Sequence, residues 1–229
     1  MVRRRLSSLW PDISGQTVLG YGYTHPYLAP YYAQSRRTVL AMPEGQGVSS
    51  QDEVKKVLKC LVAEDNLPFP DASFDRIGVA HGLEETPDLG RLLSELWRVT
   101  QPEGRIVVLA ANRAGLWAGS EKSPFGAGRP FSRTQLRGAL HTAGFMPTFW
   151  SGALYAPPVP RLAKASFATA CERFGETVWP GFSGLILVEA IKRLYATPEG
   201  LKMSRAKPAP FKTATVGTAS RIKRKQNGT

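Results

Sequence analysis

Four groups of side chains in this sequence have the types and spacing to do chemistry. Gly20-Tyr21-Gly22-Tyr23 follows the apolar run Thr17-Val18-Leu19, a strand-to-turn pattern in which glycine lets backbone approach a ligand closely. Glu44 stands just after a second run, Thr38-Val39-Leu40-Ala41, with Met42 and Pro43 between, and Glu64-Asp65-Asn66 precedes Leu67-Pro68-Phe69. Carboxylates at such places accept hydrogen bonds from amines and hydroxyls. His81 ends the run Ile77-Gly78-Val79-Ala80. With an ordinary pKa of about 6.5 it can act as a base or as a donor to a substrate, or it caps the strand by bonding to backbone. Finally, Asn112, Arg113, Trp117, Phe125 and Arg129 lie in a loop of about twenty residues after Ile106-Val107-Val108-Leu109. Arginines with aromatic rings suit an anionic or planar molecule, and a packed lid without specific polar contacts is the alternative.

The elements that must position these groups read as alternating strands and helices. Thr86 can cap a helix and Pro87 fits its first turn, after which Leu89, Leu92, Leu93, Leu96 and Trp97 recur at helical spacing. Pro102 and Gly104 then break the helix before the run at Ile106. Strand, helix and strand joined in this way imply a parallel sheet. Thr24 and Pro26 mark the start of another helix, which would put His25 in the glycine turn. Ser132 and Gln135 have capping-box spacing and Gly144 is placed to end that helix, which leaves His141 on a surface or in packing. Met146 to Tyr155 contains a further strand, Arg161 to Phe174 has helical character, and Leu185-Ile186-Leu187-Val188 suits a closing antiparallel strand. Trp150, Tyr155 and Trp179 read as packing residues.

As a block, LPFPDASFD, the HGLE after its strand and ELWRV-x-x-PEGR before the next closely resemble the class I S-adenosylmethionine-dependent methyltransferases, in the branch that includes the ubiquinone and menaquinone methyltransferases. RPFSRTQLRGALHTAGF is similar to that family's final helix before its antiparallel strand pair. The resemblance implies an α/β, Rossmann-like domain over residues 14–196, with a seven-stranded, mostly parallel sheet, helices on both faces and an antiparallel last strand. S-adenosylmethionine would be the cofactor and a small molecule the methyl acceptor, with Asn112, Arg113 and Trp117 as substrate residues and His81 as the catalytic candidate.

Carried over position by position, the family's cofactor residues fall on an altered set. The acid that ends its first strand corresponds to Gly20, and its first two glycines correspond to Gly22 and Thr24. The acid that receives the ribose hydroxyls corresponds to Met42 or Pro43, with Glu44 one or two positions late. The acid near the adenine corresponds to Ala63, with Glu64 and Asp65 shifted by one or two. The resemblance therefore implies that Gly20, Tyr21, Gly22, Met42, Glu44, Glu64, Asp65 and Asn66 meet the cofactor, with Tyr21, Tyr23 and Met42 able to enclose its adenosine by stacking and packing.

Composition bounds the rest. The chain has 229 residues, 42% of them hydrophobic, enough for a full core. No apolar run reaches the roughly 20 residues that span a bilayer, and MVRRRLSSLW lacks the apolar segment of a secretory signal, so a cytoplasmic protein is expected. Cys60 and Cys171 form no metal-ligand pattern, and no metal site is expected. The net charge of +12 is concentrated at the ends: residues 1–13 form a basic segment, and Leu201–Thr229 carries eight basic residues and no acidic one. Residues 197–229 read as a disordered basic tail, able to contact polyanions nonspecifically or simply solvated. Against methyl transfer to a small molecule stands a catalytically inactive methyltransferase-like scaffold that binds a protein or nucleic acid. Methylation of nucleic acid has no positive motif, since no N-P-P-Y-type clamp follows the His81 strand.

Overall fold

Seven strands pair in the order β3-β2-β1-β4-β5-β7-β6. In the computed structural model, which describes residues 2–46, 57–115, 117, 128–155 and 182–194, these are β1 (Thr17–Gly22), β2 (Arg37–Pro43), β3 (Val57–Val62), β4 (Phe74–Ala80), β5 (Thr100–Ala111), β6 (Phe145–Ala153) and β7 (Leu185–Lys192). The first five pair in parallel, and β7 runs antiparallel to both β5 and β6. The antiparallel strand is thus last in sequence but lies inside the sheet. The tail 197–229, Phe125, the helical stretch 161–174, Trp179 and Cys171 lie outside the described residues.

Helices cover both faces. The helices α3 (Leu89–Val99) and α4 (Arg133–Thr142) lay Leu92, Leu93, Leu96, Val99, Leu136 and Leu140 on one face, against Leu19, Ile77, Val79, Ile106 and Val108. On the other, α1 (Val2–Leu9) and the short α2 (His25–Leu28) bring Val2, Leu6 and Leu28 against Val18, Leu40, Val107 and Leu187. The basic N-terminal segment therefore contributes to the core, with Trp10 and Ile13 fully buried and the Arg76 guanidinium 5.9 Å from the centre of the Trp10 ring. Among the described residues no helix is long and apolar enough to cross a membrane.

Several boundaries differ from those expected, each for a tertiary reason. Gly20 and Tyr21 belong to β1 rather than to a turn, because Gly20 pairs with both Leu40 and Gly78, and Tyr21 with both Ala41 and Val79. The turn begins at Gly22, whose φ is +75°, and the Tyr23 N–H donates to Ala80 O at 2.8 Å. Met42 and Pro43 extend β2 by pairing with Leu61 and Val62. The N-cap of α3 is Asp88, not Thr86: the Asp88 carboxylate accepts from Arg91 N at 3.0 Å, while Thr86 is buried two residues earlier. Pro102 and Gly104 do not interrupt β5, which absorbs them through a register shift opposite Phe74 to Arg76 and a positive φ of 59° at Glu103. Ser132 and Gln135 form the expected capping box, and Gly144, at φ +89°, follows the end of α4.

The LPFPD turn and the ELWRV helix are clamped together by Glu95 and Arg98. Arg98 donates to both Glu95 oxygens, to Asp71 Oδ1 and to the carbonyls of Leu67 and Phe69, over 2.7 to 3.0 Å. Glu95 Oε2 also accepts from Leu67 N at 2.9 Å. These bonds, led by Arg98, hold the Glu95 carboxyl below the ordinary value of 4.5. A depressed carboxyl pKa contributes stability that is fully present above the unfolded value and is lost as pH falls through the folded one. Urea unfolding followed on acidification is therefore expected to show stability falling below about pH 4.5, with Glu95→Gln flattening that fall. An unchanged slope in the variant would count against the clamp.

Candidate functional site

A cleft of about 450 Å³ opens where β2 and β3 end. Its walls are Glu44 and Gly45 after β2, Val62 at the end of β3 with residues 63–65 after it, residues 86–88 before α3, and Arg91 on the first turn of that helix. Parallel strands end together on one side, so the loops that follow them converge and leave a crevice there. An isolated bridge between Ala63 and Asn66 closes the β3 turn and sets Glu64 and Asp65 at its tip.

The cleft is acidic. Among the described lining residues, Glu44, Glu64, Asp65 and Asp88 stand with one cation, Arg91, which lies 3.5 Å from Asp65 and 3.6 Å from Asp88. Those pairs are more than half exposed, so water screens them and they hold little stability. Two oxygens of the lining residues are buried without a hydrogen-bond partner, Glu64 Oε2 and Thr86 Oγ1. A buried acceptor and a buried hydroxyl left unmade cost free energy, and a ligand that supplied a donor and an acceptor would recover it.

Not every expected ligand residue reaches this cleft. Glu44, Glu64 and Asp65 line it, whereas Asn66 sits in the turn behind them. Met42 is buried in β2, and Tyr23 is 54% exposed beyond the end of β1. Tyr21 is fully buried with its ring against Gly82, where any Cβ would come within 2.7 Å of the ring. Burial, with the nearby Glu64 carboxylate, pushes the Tyr21 hydroxyl well above its ordinary value of 10. At Gly20 an added Cβ would fall on Thr24 Oγ1 and lie 2.7 Å from Leu40 Cδ2, so neighbours already fill that space. Gly22 is tightly held too, since its Cβ would lie 2.5 Å from Ala80 O.

His81 ends β4 with φ +52° and its N–H donates to Leu109 O at 3.2 Å, while ring Nδ1 lies 3.6 Å from Glu84 Oε1. Glu84, which the sequence reading passed over, is buried, and its Oε1 accepts from Ala111 N at 2.7 Å. It ties the loop after β4 to the end of β5. His25 Nδ1 is 2.9 Å from the Tyr32 hydroxyl, and His141 is exposed in the last turn of α4.

A second cavity, of about 310 Å³, shares Thr86 with the cleft. Leu83, Leu89, Pro130 and Phe131 line it beside Arg113 and Arg129. Of the loop residues expected to meet a substrate, Arg113 and Arg129 border this cavity, whereas Asn112 and Trp117 are not among its lining residues. Asn112 is buried, its Nδ2 donating to Ser183 O at 2.7 Å and its Oδ1 accepting from Ala114 N at 3.2 Å, and Trp117 packs on Gly184. Both fasten the loop after β5 to the start of β7. Thr86 carried a sequence signal, but one that pointed to a helix cap rather than a cleft wall.

Residues 19–108 match the methyltransferase domain family. A demethylmenaquinone methyltransferase from Geobacillus is 39% identical over 51 residues, 22% of each chain. A ubiquinone/menaquinone biosynthesis C-methyltransferase from Rickettsia bellii is 43% identical over 53 residues, 23% of this chain and 21% of the relative. The chain thus matches about a fifth of the length of these relatives. Among solved structures, the complex between the Haloferax volcanii Trm112 methyltransferase activator and a putative methyltransferase aligns with TM-score 0.64 at 15% identity, covering 84% of this chain and 89% of the other. A Thermotoga maritima S-adenosylmethionine-dependent methyltransferase aligns with TM-score 0.60 at 19% identity, covering 84% and 87%. The methyltransferase-domain match spans β1 to most of β5, and the seven-stranded sheet has the Rossmann-like fold of S-adenosylmethionine-dependent methyltransferase structures.

Proposed function

We propose that this protein transfers a methyl group from S-adenosylmethionine to a small-molecule acceptor, with the cofactor's nucleoside in the cleft after β2 and β3. The observation that carries the reading is the pair of buried, unpartnered oxygens, Glu64 Oε2 and Thr86 Oγ1, on residues that line this cleft. Adenine offers an exocyclic amine as donor and ring nitrogens as acceptors, which matches a carboxylate and a hydroxyl. Glu44 is placed to receive ribose hydroxyls, and the excess of carboxylates favours a cofactor with net positive charge. The fit is to the nucleoside end: the space beside Gly20, where the family carries an acid, is occupied by Thr24, Leu28 and Leu40. The names of the relatives, which specify methylation in quinone biosynthesis, support a small acceptor.

The cofactor, when bound, supplies an already activated methyl group. The chain's part is to align the acceptor, exclude water and, for a hydroxyl or an acidic carbon, remove a proton. We assign proton removal to His81, at the mouth of β4, with Glu84 Oε1 3.6 Å from its Nδ1 to orient the ring.

Calorimetry with S-adenosylmethionine and S-adenosylhomocysteine tests the reading, which fails if millimolar ligand gives neither heat nor thermal stabilisation. Thr86→Val is expected to weaken cofactor binding by about fivefold, the worth of one neutral hydrogen bond, and Glu64→Gln by tenfold or more, since that bond is charge-assisted. Thr86→Val removes an unmet buried hydroxyl without changing shape, so the ligand-free protein should be at least as stable as before. Equal affinity in both variants would place the nucleoside elsewhere.

A further inference from the structure

The two cavities have opposite charge. Among the described residues, the cleft after β2 and β3 carries four carboxylates and one guanidinium, whereas the second cavity has Arg113 and Arg129 and no acidic residue in its lining. Among the described residues neither guanidinium takes part in an ion pair or side-chain hydrogen bond. Two exposed guanidiniums that line one cavity suit an anion bound between them.

Their backbones are fixed rather than left to a loose loop. Arg113 N donates to Phe131 O and Phe131 N to Ala111 O, both at 2.9 Å, so the two chain segments pair as a short bridge next to β5. Arg129 N donates to Glu84 O at 2.9 Å. Gly128 packs so closely on Glu84, at φ +77°, that any Cβ would come within 2.9 Å of its carbonyl. Glu84, itself pinned to Ala111 N, therefore sets the position of Arg129, while Phe131 sets that of Arg113.

Resting on the methyl-transfer reading, we propose that the second cavity is the acceptor site and that its ligand is an amphiphilic acid. A carboxylate or phosphate is gripped by Arg113 and Arg129, and an apolar body lies on Leu83, Leu89 and Phe131. A volume of about 310 Å³ limits that body to a small molecule or to the end of a longer chain. The charge pattern also sorts the two ligands. The carboxylates of the first cleft repel the acidic acceptor, and the arginines of the second repel a cationic cofactor, so each ligand is steered to its own side of Thr86.

The test is calorimetry on the full chain with octanoate, octyl phosphate and octan-1-ol, each with and without S-adenosylhomocysteine. Octanoate or octyl phosphate is expected to bind at least about tenfold more tightly than octan-1-ol, and whichever of the two acids binds better identifies the head group. Arg113→Ala and Arg129→Ala should each lose about tenfold for the acids and little for the alcohol. Both side chains are exposed and the fold uses only their backbones, so these variants are expected to unfold as the parent does. Equal binding of alcohol and acids, or unchanged acid binding in the double variant, overturns the proposal. Arginine-dependent acid binding in a protein that ignores S-adenosylhomocysteine would sustain this site and defeat the methyl-transfer reading, so the two failures are separable.

Discussion

Arg98→Ala is expected to lower the free energy of unfolding by about 3 kcal/mol, read as a fall in the urea midpoint at neutral pH. One guanidinium makes five hydrogen bonds, to two oxygens of Glu95, to Asp71 and to two turn carbonyls, and its side chain is 30% exposed. The Asp71 bond lies at the surface and adds little. The others join the end of α3 to residues 67–69, and removing the donor leaves Glu95 partly buried without its cation. Arg98→Lys should recover only a small part of the loss, because a point charge on a flexible stem cannot fork to carboxylate and carbonyls together. A loss under about 1 kcal/mol would reduce the clamp to an ordinary surface ion pair.

This clamp explains why the stretch from LPFPD to ELWRV was so legible in the sequence. Its residues specify one local assembly of turn, strand and helix, and the partners of Arg98 are at most 31 positions away. Element ends were less legible, because tertiary pairing decides them. Nothing in Gly20-Tyr21 announces a strand until β2 and β4 are known to flank it on both sides, and Thr86 looks like a cap until its burial is seen. The N-terminal helix was hidden for a related reason: Val2, Leu6, Trp10 and Ile13 are spread among arginines and serines, with too few apolar positions to show a face. The candidate site was half readable. Glu44, Glu64 and Asp65 could be placed at strand ends from the pattern alone, and Arg113 and Arg129 stood out as cations in a long loop. The burial of Glu64 Oε2 and Thr86 Oγ1, and the tie from Glu84 to Ala111, depend on segments brought together from distant parts of the chain.

Gly20→Asp, which would install the acid that the family carries at this position, is expected to unfold the protein rather than improve its cofactor site. The new Cβ would fall on Thr24 Oγ1 and lie 2.7 and 2.8 Å from methyl groups of Leu40 and Leu28. Overpacking of this kind costs about 1 to 3 kcal/mol, and a carboxylate buried there without a cation costs several more, together about 5 kcal/mol or beyond. That is comparable to the whole stability of an ordinary domain, so circular dichroism at 25 °C should show much of the chain unfolded. Adding Thr24→Gly removes the closest obstruction and also a buried hydroxyl that has no partner, and the double variant should regain a large part of the loss. A Gly20→Asp protein that melts with the parent would show that the segment after β1 moves aside freely, and the packing argument would fail. If the expected pattern holds, the missing acid is a consequence of how Thr24, Leu28 and Leu40 close over β1, and in the proposed function the cofactor must be held mainly from the side of Glu44, Glu64 and Thr86.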